Sequence, residues 1–252
     1  STSARRPMIA TSYPSSSRPR AVAAPIPVPP PLTTANPMPI SLSTGPLGRG
    51  THPVTSYSGV VRTGQWLTGR DGRRWFFDSG SLALDFGYTG DYGYGVPEWE
   101  HLHTPADLTA WLTERFGPLA VPASEADLTE ALRLRAVIVR MAHALADGHS
   151  LAAEDIDELN SLATPPPVVP HLAGGTTPPP RATVAAALST IARDAITTFA
   201  SGSRVRRCSA SDCALIFYDT SRPNARRWCS MQRCGNRSKV RGYRSRHSQE
   251  ET

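Results

Sequence analysis

The chain has 252 residues, a net charge of +6 and 24 prolines, eleven of which fall in the first 50 residues. Those 50 residues hold no Asp or Glu, and the first acid is Asp71. No run of about 18 apolar residues occurs, so no transmembrane helix is expected, and the absence of a Gly-X-Y period or heptads excludes collagen-like and coiled-coil classes.

Residues 1–70 have no apolar periodicity, and their prolines remove backbone donors, so they read as a disordered Pro-rich arm. Arg and Ser without acids also suit a transit peptide, but this density of proline opposes the amphipathic helix such peptides form. Charge divides the rest. Residues 71–201 carry eight Arg against seventeen Asp and Glu, and residues 202–249 carry twelve Lys and Arg against two Asp. A mildly acidic body is joined to a dense basic end, the asymmetry expected of a polyanion-binding C-terminus.

Within the body, Trp75 to Phe86 alternates weakly and predicts one or two strands. Gly87 to Gly95 reads as a flexible aromatic loop. Thr104-Pro105 opens a helix, with Thr as N-cap and Pro at the first helical position, and Leu108, Trp111, Leu112 and Phe116 form its apolar stripe. A second helix runs from Ser124 or Glu125 to Asp147-Gly148. Its faces carry Leu128, Leu132, Arg135, Val139 and Ala142, with Ala131, Leu134, Ile138 and Leu145 alongside. A third, with Ile156, Leu159 and Leu162, ends at Pro165. Residues 164–181 read as a loop, with a possible hairpin at Ala173-Gly174-Gly175. A fourth helix spans Thr183 to Phe199 with Val184, Ala187, Leu188, Ile191 and Ala195. The body is thus a mainly α-helical bundle with a minor β element.

Catalytic signals are weak. Asp78 and Asp85 sit near the strand candidate and suit turn or cap roles better than an acid pair. His101 and His103 lack a third ligand at a sensible spacing. No Gly-rich phosphate loop or hydrolase motif occurs, so no enzyme is expected.

All four cysteines lie together, as Cys208-x4-Cys213 and Cys229-x4-Cys234. Two close pairs separated by a short spacer suit one tetrahedral structural Zn2+. Disulfides and buried thiols are the competing readings. The lack of a continuous apolar signal segment and the tight clustering favour zinc. A segment this short and charged also needs a metal to supplement its core. Ala214 to Tyr218 reads as a strand, and Asp219 to Asn224 as a turn. From Trp228 onward the pattern is helical, so the second pair flanks a helix N-terminus in a treble-clef or ribbon-like finger. On that helix Arg237, Arg241 and Arg244 share one face, Arg233 lies a turn back, and Lys239 and Arg246 widen the positive surface.

These residues resemble a known family. Cys208 to Cys213, Phe217-Tyr-Asp-Thr-Ser221, Arg226-Arg-Trp-Cys229, Met231 and Cys234-Gly-Asn-Arg237 look like the CGNR zinc finger of bacterial proteins. The resemblance implies zinc binding by Cys208, Cys213, Cys229 and Cys234. Its Gly-Asn-Arg tail falls on Gly235, Asn236 and Arg237. The candidate nucleic-acid contacts are therefore Arg226, Arg227, Arg233, Asn236, Arg237, Lys239, Arg241 and Arg244. In that family the finger follows a domain called ABATE, described as a stress-induced transcription regulator. Leu82-Ala-Leu-Asp-Phe86 resembles its opening strand, Thr104 to Leu112 its first helix and residues 125–147 its second. The family usually has Asn-Thr after the Asp-Phe pair, where this chain has Gly87-Tyr88-Thr89. The organisation expected is an arm over 1–70, an ABATE-like helical domain over 71–201 and the finger over 202–249. The expected function is a cytoplasmic, DNA-binding transcriptional regulator whose body senses a small molecule or protein. Protein docking, for instance on RNA polymerase, and RNA binding are the alternatives for the finger.

Overall fold

The computed structural model describes residues 63–68, 74–92, 100–172 and 175–250, with the side chains of the last helix described as far as Tyr243. Strands β1 (Gln65–Thr68) and β2 (Arg74–Phe77) pair antiparallel, with Trp66 opposite Phe76 and Leu67 opposite Trp75. Leu67, Trp75 and Phe77 turn inward, while Trp66 and Phe76 meet edge to face on the outside, 5.7 Å apart. Alternation over four residues is enough to bury one face of a hairpin. This pairing corrects the arm expected over 1–70, since folded chain begins no later than Gln65. Residues 1–62 lie outside the described residues, as does the hairpin expected at Ala173-Gly174.

A second correction concerns Leu82 to Phe86. It is not a strand but the short helix α1 (Leu82–Gly87), every residue of which is buried. A short apolar run covered on all sides carries no period that separates strand from helix. Caps decide it here. The Ser81 hydroxyl accepts from the Leu84 amide at 3.3 Å, and the Asp194 carboxylate accepts from the Ser81 hydroxyl at 2.6 Å and the Ala83 amide at 2.8 Å.

Four longer helices follow: α2 (Pro105–Phe116), α3 (Glu125–Ala146), α4 (Ala153–Leu162) and α5 (Val184–Ala200). Both α2 and α3 open with a reciprocal capping box, Thr104 with Asp107 and Ser124 with Asp127. Central α1 packs on α3 and α5, and α4 covers the same pair. The stripes expected on α2 and α5 are buried in full. On α3 the buried face is rotated toward Val137 and Met141, leaving Leu132 and Val139 half-buried, and Ile156 of α4 is exposed. Tyr88 and Tyr92 of the expected flexible loop are instead core residues, stacked 4.3 Å apart.

The C-terminal segment forms β3 (Val205–Arg207) and β4 (Ile216–Tyr218), an antiparallel pair, followed by α6 (Asn236–Glu250). It is docked on the body by specific bonds. The Tyr88 hydroxyl donates to the Ile216 carbonyl at 2.9 Å and accepts from the Ile216 amide at 2.6 Å. The Tyr218 amide donates to the Ser79 carbonyl at 2.7 Å. Arg207 donates to both Asp147 oxygens, at 2.8 and 2.9 Å, and to His143 Nδ1 at 3.2 Å. His143 Nε2 lies 2.8 Å from the Tyr92 carbonyl, an acceptor, so the neutral ring carries its proton on Nε2. Burial lowers the His143 pKa and favours that neutral form.

Gly80 makes this docking possible. Its φ is +77°, and a Cβ there would lie 2.4 Å from the Tyr218 carbonyl oxygen. We expect Gly80→Ala to destabilise the protein by about 1–3 kcal/mol, through strain and separation of β4 from the turn. Thermal unfolding, with hydrogen exchange at the Tyr218 amide, checks this. Unchanged protection of that amide would contradict it.

Candidate metal centre and basic helix

The two cysteine pairs are brought together by backbone bonds. Cys208 N–H donates to the Leu215 carbonyl at 2.9 Å and closes the first knuckle. Ser209 N–H donates to the Arg227 carbonyl at 2.9 Å, which draws the second pair alongside. A single π-helical turn, Met231–Gly235, is capped by Ser230, runs directly into α6 and delivers Cys234 just before it.

The four Sγ atoms lie within 4.8 Å of one another, with Cys213–Cys229 at 3.6 Å and Cys229–Cys234 at 3.5 Å. A disulfide needs about 2.05 Å, so no pair is bonded. Tetrahedral zinc with Zn–S of about 2.3 Å requires S–S edges near ~3.8 Å, and the cluster fits that ion. The chemistry of the donor set agrees. Four cysteine sulfurs with no other donor among them are the closed, soft ligand set of a structural zinc site. Four crowded thiols cannot share protons evenly, and a dication lets all four act as thiolates. The centre binds one structural zinc. The excess negative charge of a four-thiolate site is met by the Arg237 guanidinium, 3.4 Å from Cys234 Sγ, and by the Cys229 N–H, 3.4 Å from Cys208 Sγ.

The buried Asp219 organises the loop between the pairs by accepting from the Ser221 and Arg226 amides, each at 2.8 Å. Burial alone would raise its pKa, but hydrogen bonds from the Ser221 side chain and from the Ser221 and Arg226 amides hold it below the ordinary value.

The expected nucleic-acid residues separate into two sets. Arg226 faces inward: its guanidinium lies 4.2 Å over Phe217 and donates to the carbonyls of Trp228, Asp78 and Cys229 at 3.0, 2.9 and 2.5 Å. Arg233 stacks 3.7 Å over Trp75 of β2 and fastens α6 to the body. Arg237 and Arg241 converge on Asp212, at 3.1 and 2.9 Å, and Arg241 also bonds Ser211. The shared arginine face therefore clasps the first knuckle, because Asp212 lies beside Cys213. Arg227, Asn236 and Lys239 are exposed, and Arg241 remains exposed despite its pairing. The side chain of Arg244 lies outside the described residues.

Asp78 accepts from Thr63 and the Gly80 amide, a turn role. Asp85 is fully buried, accepts from the Gly64 amide at 2.6 Å and shares a 2.6 Å hydrogen bond with the Ser79 hydroxyl, tying the β1 hairpin to α1. Among the described residues the four cysteines are the only group of three or more His, Cys, Asp or Glu side chains placed to hold a metal, so His101 and His103 assemble no site. No helix among the described residues is long and apolar enough to cross a membrane.

A helical body carrying a treble-clef-like, four-thiolate zinc finger defines a zinc-finger protein. The family comparisons are more particular. Residues 80–202 match the ABATE family, "Putative stress-induced transcription regulator", and residues 204–247 match the CGNR zinc finger. The chain belongs to the ABATE-type CGNR zinc-finger proteins, with the two domains in that order. These are regulatory and zinc-binding families, not enzyme families. No curated protein sequence matches the chain.

Proposed function

We propose that this protein is a cytoplasmic, zinc-dependent, DNA-binding transcriptional regulator. In this reading the body over 71–201 senses a small molecule or protein, and the finger over 202–249 contacts DNA. The observation that carries the reading is α6 and its approach. From Arg226 to Arg246 the chain holds eight Lys and Arg and no acid, and among those with described side chains Arg227, Lys239 and Arg241 are exposed, on a segment locked by the metal centre. Such a surface suits the phosphate backbone and would give salt-dependent affinity. Docking through Tyr88, Arg207 and Arg233 offers a route from body to finger: a shift of α1 or α3 on sensing a signal would move β4 and β3 with it. The families' regulatory description supports the same reading.

The test is titration of duplex DNA at several salt concentrations. We expect the affinity to fall by roughly 10²-fold or more between about 50 and 200 mM salt if several phosphates are contacted. Chelation should abolish binding. Zinc-loaded protein without salt-sensitive binding to any duplex would refute the reading. It would leave the second one, docking on a protein partner, which the exposed Met231 and Val240 favour.

A further inference from the structure

The arginine face of α6 is partly open, with the Arg237 and Arg241 side chains 36% and 49% exposed, but both are engaged by Asp212, and an adjacent face is turned to solvent. Asn236, Lys239, Val240 and Tyr243 are spaced i, i+3, i+4 and i+7 and so share one side of the helix. All four are exposed, Val240 at 50% and Tyr243 at 57%. Arg227 is exposed close in sequence to the same turn. Asp212, in contrast, pairs with both Arg237 and Arg241. Each such half-exposed pair is weak alone. Here, however, Arg237 also reaches the Cys234 sulfur and Arg241 the Ser211 hydroxyl, so withdrawing them would release the clasp between the two knuckles. A phosphate approaching that side would also meet the Asp212 carboxylate.

We propose that α6 meets duplex DNA through the Asn236–Lys239–Val240–Tyr243 face, with Asn236 reading adenine in the major groove and Val240 contacting a neighbouring thymine methyl. This rests on the DNA-binding reading above. The occupant follows from charge: no Asp or Glu lies between Asp219 and Glu250, so the face complements a polyanion. The chemistry of the side chains narrows it further. A carboxamide offers one donor edge and one acceptor, the pattern that matches adenine N6 and N7, and a branched apolar side chain suits the thymine C5-methyl. Asn236 stands where the Met231–Gly235 turn passes into α6, in the N-terminal part of the helix, the part that recognition helices present to base edges. Among the described residues its amide makes one long bond, 3.4 Å to the Gln232 carbonyl, which is readily exchanged for a base. Lys239 supplies a phosphate contact beside it.

The experiment is selection from a random duplex library with the full zinc-loaded chain, followed by titrations of variants whose zinc content and helicity match the parent. The enriched site is expected to contain an A·T step. Asn236→Ala should lose about 10-fold on that site and little on non-specific duplex. Lys239→Ala should weaken both equally and reduce the logarithmic salt slope by about one. Arg241→Ala should stay within about 2-fold. Duplex binding with preference unaltered in Asn236→Ala and Val240→Ala, but lost in Arg241→Ala, would overturn the assigned face alone. Failure of the parent chain to bind any duplex, or binding confined to single strands, would overturn the DNA reading itself and this face with it.

Discussion

Removing zinc, by chelation or by Cys229→Ser, is expected to unfold the C-terminal segment and lower the stability of the remainder. The finger has two strands of three residues each, and its fully buried side chains are few, chiefly Ile216 and Phe217 beside the cysteines. Apolar burial of that size does not offset the chain entropy of more than 40 residues, and structural zinc contributes on the order of 10 kcal/mol in comparable small modules. The loss should reach the body because the interface is shared. Without β4 the Tyr88 hydroxyl loses both bonds to Ile216, Asp147 loses Arg207, and Trp75 loses the Arg233 guanidinium. The expected result is loss of the α6 contribution to far-ultraviolet circular dichroism and altered Trp228 fluorescence. Helices α1 to α5 should persist with a depressed Tm. Unchanged helicity and Tm after verified metal loss would refute this.

The second large effect concerns pH. Asp85 is enclosed by β1, the β2–α1 turn and α1, and burial raises its pKa from 3.8 to about 7, despite lowering contributions from Ser79, Gly64 and Arg115. The hydrogen-bond geometry points the same way. The Ser79 hydroxyl lies 2.6 Å from Asp85 Oδ1 and 2.8 Å from the Ser81 carbonyl, but it has a single proton. Both contacts are satisfied when Asp85 is protonated and donates to Ser79, which then donates to Ser81. The folded state therefore holds this proton more tightly than the unfolded state does. Between about pH 4 and 7 the contribution of Asp85 to stability falls as pH rises, by up to ~4 kcal/mol in total. Asp85→Asn reproduces the neutral pattern, with its amide donating to Ser79 and its carbonyl accepting from Gly64. Urea unfolding of both proteins across this pH range should show the variant gaining on the parent as pH rises. A constant difference would refute the assignment. Comparing the two proteins isolates Asp85 from groups such as Glu100 and Asp219, whose lowered pKa values act in the opposite sense.

The elements legible in the sequence were those with local causes. Helices α2 and α3 announced themselves through Thr104 and Ser124, because a cap and its third helical residue interact within one turn. The zinc ligands were legible because two short-range pairs are dictated by coordination chemistry, and their motif specified the family. Strand β4 and the Asp219 turn were readable for the same reason. Strand β1 was hidden because its partner and the core beneath it decide whether four alternating residues bury, and a proline-rich, acid-free neighbourhood masked it.

The arginines divide most sharply. Charge alone determined that this end of the protein is basic, and helical spacing determined that Arg237 and Arg241 share a side. Only the tertiary structure decided that this side faces Asp212, that Arg226 and Arg233 are spent on carbonyls and on Trp75, and that Asn236, Lys239 and Val240 face solvent. It likewise decided that Asp85 is a core carboxyl with a raised pKa and Leu82 to Phe86 a helix. The physical reason is common to all of these. Periodicity and capping report interactions within a few residues, whereas the state of a charge or a fully buried segment is set by whichever distant groups the fold brings against it.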